Sequence, residues 1–207
     1  MEKCEKGGNL QIVLDRTPFY AESGGQVGDA GEILVGETAR VRITDVQKIA
    51  GGSLFLHQGT VEEGTVSVGD KVECKVDEKY RNGCKVHHTS THLLQSALKT
   101  VLGDDVCQSG SLVKPDYLRF DFNYPKALEE AQVKRVEGMM NEWIAEKNHV
   151  VTQEMPMAEA KKRGATAMFG EKYGDVVRVV DVVSEVSALA EIVPFPSPEG
   201  VPARVPR

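Results

Sequence analysis

The sequence predicts an α+β protein: a small β-barrel-like module, then an α+β core in which helices pack on an antiparallel sheet. Three observations lead there. The first eighty residues are short β-branched stretches broken by glycine and aspartate, as in small barrels and sandwiches. From Arg81 onward the apolar period lengthens to that of helices. Late in the chain, Val176-Val177-Arg178-Val179-Val180-Asp181-Val182-Val183 is the best candidate for a buried strand.

In chain order, residues 11–15, 39–46, 53–57 and 71–76 alternate apolar with polar side chains and are predicted as strands, with turns at Gly24-Gly25, Gly28-Asp29, Gly51-Gly52 and Gly69-Asp70. Residues 89–101 carry Leu93, Leu94, Ala97, Leu98 and Val101 on one stripe, closed by Gly103, which predicts a helix. Residues 117–122 alternate Leu118, Phe120 and Phe122 with Arg119 and Asp121, a strand with one wet face. Residues 128–147 repeat Leu128, Val136, Met140 and Trp143-Ile144 at helical spacing, with Glu129-Glu130 in the first turn complementing the helix dipole. Residues 157–163 predict a short helix ended by Gly164. The expected organisation is a β module over 1–80, a core over 81–190 and a proline-rich tail over 191–207, where five of the nine prolines lie and no regular structure is expected.

Composition narrows the function classes. Acidic residues outnumber basic ones, 31 to 25, which excludes a polybasic protein but permits a local basic patch. No apolar run reaches the roughly 18 residues of a membrane span, and Met1-Glu2-Lys3-Cys4 does not open a secretory signal, so no membrane partner is expected. Cys4, Cys74, Cys84 and Cys107 are scattered, which argues against a disulfide framework and for an intracellular setting, cytoplasm or organelle.

Three segments have the residue types of a functional site. His88-Thr89-Ser90-Thr91-His92 places two imidazoles at i and i+4 on one helix face, a spacing that suits two ligands of one zinc and equally a pair of surface histidines; without a Glu beside the first, it is not the zinc-protease pattern. Thr17-Pro18-Phe19-Tyr20-Ala21-Glu22-Ser23-Gly24-Gly25-Gln26-Val27-Gly28-Asp29 is dense in polar and glycine residues, readable as a ligand-approaching loop or as a hairpin turn. The glycine-punctuated segment 164–175 admits the same two readings, and Lys161-Lys162-Arg163 with Lys172 form either a phosphate-facing patch or a solvated run.

In this order, Leu14-Asp15-Arg16 with the segment just quoted, His88-Thr89-Ser90-Thr91-His92-Leu93-Leu94, Gly110-Ser111-Leu112-Val113, Leu118-Arg119-Phe120-Asp121-Phe122 and the run from Ala167 to Val180 resemble the editing domain of alanyl-tRNA synthetase, over about residues 10–187. The Ala21-Glu22-Ser23 wording is closer to the synthetase-embedded form than to free-standing editing proteins. The resemblance implies a β-barrel-like module joined to an editing core shared with threonyl-tRNA synthetase, acting as an aminoacyl-tRNA deacylase. Its substrate would be tRNA(Ala) mischarged with serine or glycine, errors that a pocket for alanine rejects poorly. It implies that Thr17 reads the serine hydroxyl, that Gln26 with the Gly24 and Gly25 backbone lines the aminoacyl pocket, that His88 and His92 hold zinc, and that the partner is the tRNA acceptor end. It also implies two further zinc ligands in a Cys-Gly-Gly-Thr-His segment beyond Val180. Here the chain instead reads Val183-Ser184-Glu185-Val186-Ser187-Ala188-Leu189, with neither Cys nor His following, so that a tRNA-binding module without turnover is the alternative expectation. No aminoacylation domain is expected within these 207 residues.

Overall fold

A computed structural model describes residues 3–147, 149–163, 165–167, 174–183 and 188–193. In chain order the elements are β1 (Lys3–Glu5), β2 (Asn9–Val13), β3 (Gly31–Val35), β4 (Ala39–Ile49), a 3-10 turn at Ala50–Gly52, β5 (Leu54–Glu63), β6 (Thr65–Ser67), β7 (Glu73–Val76), α1 (Glu78–Leu102), β8 (Gln108–Val113), β9 (Leu118–Phe122), α2 (Glu130–Ala145), β10 (His149–Pro156), α3 (Met157–Lys162), β11 (Thr166–Ala167), β12 (Val176–Val183) and β13 (Ala188–Val193). The fold class is α+β, with sheets built mainly of antiparallel pairs; among the described strands β11 and β13 pair in parallel. The chain divides into two compact units, the first holding residues up to His87 with Leu112–Tyr117, the second His88–Ser111 with the described residues from Leu118 onward.

In the first unit the sheet runs β2-β5-β4-β3-β7, all antiparallel, with β1 and β6 forming a separate ribbon. Among the described residues β2 and β7 remain edges, so the sheet is open rather than a closed barrel. The long strands β4 and β5 bend at register shifts after Arg40 and Ile43, which wraps the apolar face around one core of Phe19, Ala21, Ile33, Val41, Ile43, Val46 and Val61. Each such buried side chain contributes roughly 1.5–3 kcal/mol. Arg40 and Arg42 meet Glu62 and Glu63 across the strands on the opposite, wet face, where ion pairs are worth little.

Helix α1 begins eleven residues before the stretch whose periodicity predicted it. Asp77 supplies the start: its Oδ1 accepts from the Tyr80 N–H at 2.9 Å. Gly83 within it is a close-approach residue, since a Cβ there would strike the Pro115 backbone. The helix ends where expected: Gly103, with φ of 114°, donates its N–H to the Lys99 carbonyl.

In the second unit Ala97, Leu98, Val106 and Val136 form one core cluster, flanked by Phe120, Phe122, Met140 and Trp143. β8 pairs with β9. Before α2, the Glu129 N–H donates to the Gln132 side chain at 2.9 Å, closing the helix entrance. Ile144, placed on the apolar stripe by spacing, is 53% exposed instead and is not among the side chains packed on that core, whereas Trp143 beside it is. The second sheet runs β10-β12-β13-β11, with Met155, Ala160, Ala165, Val177 and Val179 clustered between its strands and α3. Strand β12 spans the predicted residues, yet Val176 is 51% exposed while Val177 and Val179 are buried, the alternation of a strand with one covered face. Strand β13 runs through Val193; the proline-rich remainder lies outside the described residues, as do Gly164 and residues 168–173 of the second glycine-punctuated segment.

One buried ion pair ties the first unit together. Asp29, 1% exposed, accepts through Oδ2 from the Tyr20 N–H at 2.6 Å, from Arg81 Nε at 3.0 Å and from the terminal Arg81 nitrogen; the same Arg81 also donates to the Pro18 carbonyl at 2.6 Å. Replacing Arg81 by Leu strands a buried carboxylate and is expected to lower the unfolding free energy by about 3 kcal/mol, read as a lower urea midpoint. The Asp29→Asn, Arg81→Leu double variant should recover part of that loss; a midpoint unchanged by Arg81→Leu would contradict the assignment.

Candidate functional site

The segment from Thr17 to Asp29 leaves the sheet after β2 and returns before β3, and nearly every polar group in it is engaged. Ser23 and Gln26 exchange backbone hydrogen bonds at 3.0 and 3.1 Å, and Gly24 and Gly25 between them have φ of 58° and 78°. Positive φ at both central residues is what a two-residue type I′ hairpin demands. This is the hairpin reading of the glycine pair, and the loop is also pinned from outside: the Gly25 carbonyl accepts from the Val113 N–H at 2.8 Å, and the Val27 N–H donates to the Val113 carbonyl at 3.1 Å. Gln26 lies in a parallel bridge to Val113 and is buried. Glu22 accepts from Gln47 at 2.7 Å, Ser23 Oγ accepts from Lys48 at 3.1 Å, and the Tyr20 hydroxyl donates to the Ser23 carbonyl at 3.0 Å.

Thr17 is held differently. Its Oγ1 lies 2.7 Å from His57 Nε2 and accepts from the Phe19 N–H at 3.1 Å. His57 sits in the interior strand β5, opposite Ile12 on the edge strand β2, with no exposed surface. Its Nδ1 is 3.1 Å from the Ile12 carbonyl, and the Phe19 ring meets the imidazole edge-on at 5.4 Å. Burial pushes the His57 pKa down, against the backbone bonds that oppose it, so the ring is neutral near pH 7. Sequence reading passed over His57 because a single histidine in an alternating strand carries no spacing signal. A buried polar residue at an inward-facing strand position was the available hint.

In the second unit, His88 and His92 stack along α1 with ring centroids 5.0 Å apart, tilted by 44°. The Thr91 hydroxyl donates to the His88 carbonyl at 2.6 Å. Burial, then the neighbouring His92, pushes His88 down to about 4, so it presents a neutral ring, the form that binds metal. As a pair the two fit two positions of a zinc shell. Among the described residues no group of three or more His, Cys, Asp or Glu side chains is gathered to hold a metal, so the described donor set is two short of a closed tetrahedral site. Cys84 is fully buried, and none of the four cysteines is disulfide-bonded. Of the basic run, Arg163 is paired with Glu159 at 2.7 Å and donates to Gln153 at 3.2 Å, while Lys161 and Lys162 are exposed; Lys172 lies outside the described residues. Among the described residues no helix is long and apolar enough to cross a membrane.

The buried neutral His57 makes stability depend on pH. Its folded-state pKa lies below the unfolded value, so its contribution is present above about pH 6.5 and is lost as pH falls through that value toward the folded pKa. In metal-free protein the unfolding free energy should therefore decline on acidification from about pH 7 to about pH 5. His57→Gln, which cannot charge, should flatten that decline by up to roughly 1.4 kcal/mol per pH unit. Urea titrations across the range measure both slopes, and equal slopes would refute the buried-neutral assignment.

The family model described as tRNA synthetases class II (A) matches residues 1–80. The chain is 55% identical over 182 residues to the probable chloroplastic/mitochondrial alanine–tRNA ligase of Ostreococcus tauri, covering 88% of this chain and 19% of that protein. It is 50% identical over 188 residues to the chloroplastic/mitochondrial alanine–tRNA ligase of Sorghum bicolor and 52% identical over 182 residues to the alanine–tRNA ligase of Synechococcus elongatus, covering 88% of this chain and 20% of each relative. The chain thus spans about one fifth of the length of the curated relatives it matches, and over that span it belongs to the alanine–tRNA ligase family.

Proposed function

We propose that this chain is the editing region of an alanine–tRNA ligase, hydrolysing the ester that joins serine or glycine to tRNA(Ala). Hydrolysis would free the amino acid and return the tRNA with an unesterified 3′ end. The organisation proposed is a β module over 1–80 and an editing core over 81–190, acting inside the cell, in the cytoplasm or an organelle, on the tRNA acceptor end.

The observation that carries the reading is the Thr17–Asp29 loop. It holds the hydroxyl of a partly exposed threonine on a rigid support, on the same short loop as a buried Gln26 and a glycine turn tied to Val113. Such a preorganised hydroxyl can discriminate, because an amino acid lacking the matching hydrogen-bonding group leaves it unpaired. Thr17 would read the serine side chain, and Gln26 with the Gly24 and Gly25 backbone would line the aminoacyl pocket. His88 and His92 would hold a zinc, which when bound orients the terminal adenosine and polarises the attacking water. The two-histidine donor set favours a second reading, a module that binds tRNA ends without turnover.

Release of serine from Ser-tRNA(Ala) by the purified chain distinguishes the two. Editing predicts turnover that Thr17→Val reduces by about tenfold, the worth of one hydrogen bond of ordinary strength, and that Gln26→Ala also reduces. Retention of tRNA without release above the uncatalysed rate would establish the binding module instead, and neither binding nor release would refute both. Metal analysis adds an independent check: one tight zinc per chain, lost in His88→Ala, is expected if other parts of the chain complete the shell.

A further inference from the structure

The Thr17 hydroxyl has one proton and two lone pairs, and the structure fixes the use of most of them. The Ile12 carbonyl can only accept, so the hydrogen shared with His57 at 3.1 Å belongs to Nδ1. In the neutral ring Nε2 is then a lone pair, and the proton in the 2.7 Å bond to Thr17 comes from Oγ1. The Phe19 N–H takes one Oγ1 lone pair at 3.1 Å. One lone pair is left without a partner among the described residues, on a side chain that remains partly exposed.

We propose that His57 is a specificity-determining positioning residue: by taking the Thr17 proton it makes Thr17 an acceptor alone, so that the site selects ligands presenting a hydrogen-bond donor. This rests on the proposed reading of Thr17 as a contact to the aminoacyl side chain, and it sharpens that reading. An ordinary threonine is a rotor that gives or takes a hydrogen bond and tolerates either kind of partner. Here rotation is blocked by two fixed bonds, one to a ring with no exposed surface and one to the backbone of the same loop. A serine hydroxyl can donate to the remaining lone pair. An ether side chain that accepts but carries no proton, such as O-methylserine, cannot. Phe19 packs edge-on against the imidazole, which holds the ring plane and with it the direction of the Nε2 lone pair. His57 itself reaches no ligand and acts through Thr17.

The test uses the whole chain, the His57→Phe and Thr17→Ser variants, and three stable amide-linked aminoacyl-adenosine analogues carrying serine, O-methylserine or glycine. Calorimetry should show the wild-type chain preferring seryl over O-methylseryl by about tenfold, a single hydrogen bond's worth. His57→Phe should shrink that preference to less than about threefold, because Thr17 regains its proton and can donate. Thr17→Ser, which keeps the hydroxyl, should retain the preference. A His57→Phe chain that loses affinity for all three analogues in equal proportion would show His57 to be a strut only, and so overturn the proposal. Nitrogen-15 spectra of His57 provide a readout independent of any ligand: protonated Nδ1 with accepting Nε2 is expected, and the opposite tautomer overturns the proposal. A wild-type chain that binds none of the analogues would instead sink the reading of the site, and the specificity role with it. That failure is told apart by appearing already without any substitution.

Discussion

The geometry of the first unit depends on one ion pair. Asp29 and Arg81 come from elements far apart in sequence, the end of the glycine-rich loop and the first turns of α1, and Arg81 reaches past Asp29 to the Pro18 carbonyl at the loop's start. A single guanidinium therefore closes both ends of the loop on one helix. The pair's contribution to net stability is limited. Asp29 is 1% exposed and its Oδ1 has no hydrogen-bond partner among the described residues, so desolvation offsets much of the attraction. What it supplies is position. Two apolar residues of similar volume could hold the same elements together, but they would not fix the loop's register against the helix to the tolerance that a hydrogen-bonding site requires.

Thr17 and Gln26 owe their settings to different supports. Gln26 is placed by backbone hydrogen bonds between the glycine turn and Val113, which depend on conformation rather than on side-chain identity. Thr17 is placed by side chains, through a histidine that the sheet core has dehydrated. A neutral buried imidazole is costly to charge, and that cost keeps its donor and acceptor ends from exchanging. The dry core of the first unit is thus part of the chemistry available at the loop, since a solvated histidine in the same place would sample both tautomers and its protonated form.

Much of the architecture was legible because its signals are local. Strand alternation located β2, β4, β5, β7 and β9, an apolar β-branched run located β12, and Gly103 marked the end of α1. What was missed carried weak local signals. β3 is short and lies against β4 and β7, and β8 carries little apolar periodicity. The first turns of α1 have few apolar residues and include Gly83, which reads as a breaker until Pro115 is seen beside it. Ile144 had the right spacing but stays exposed, outside the described core cluster. At the site, the residues Thr17, Gln26, His88 and His92 were nameable from motif wording, whereas His57 and Arg81 were not, because each acts only through a residue that the fold delivers to it.

The density of the Thr17–Asp29 segment follows from the same division. Tyr20, Glu22, Ser23, Gly25 and Asp29 each hold a bond within the unit. A motif this demanding in sequence is therefore mostly a specification of loop shape. Sequence similarity alone cannot separate the residues that build such a loop from those that meet a ligand, since both kinds are held to the same positions. Hydrogen-bond accounting can separate them. After the internal partners are assigned, Thr17 retains an accepting lone pair and partial exposure, while Asp29 retains an unpaired oxygen sealed from solvent. Of these two residues only Thr17 is open to solvent, so under the proposed reading it is Thr17 that would discriminate, with the sign set by the imidazole behind it.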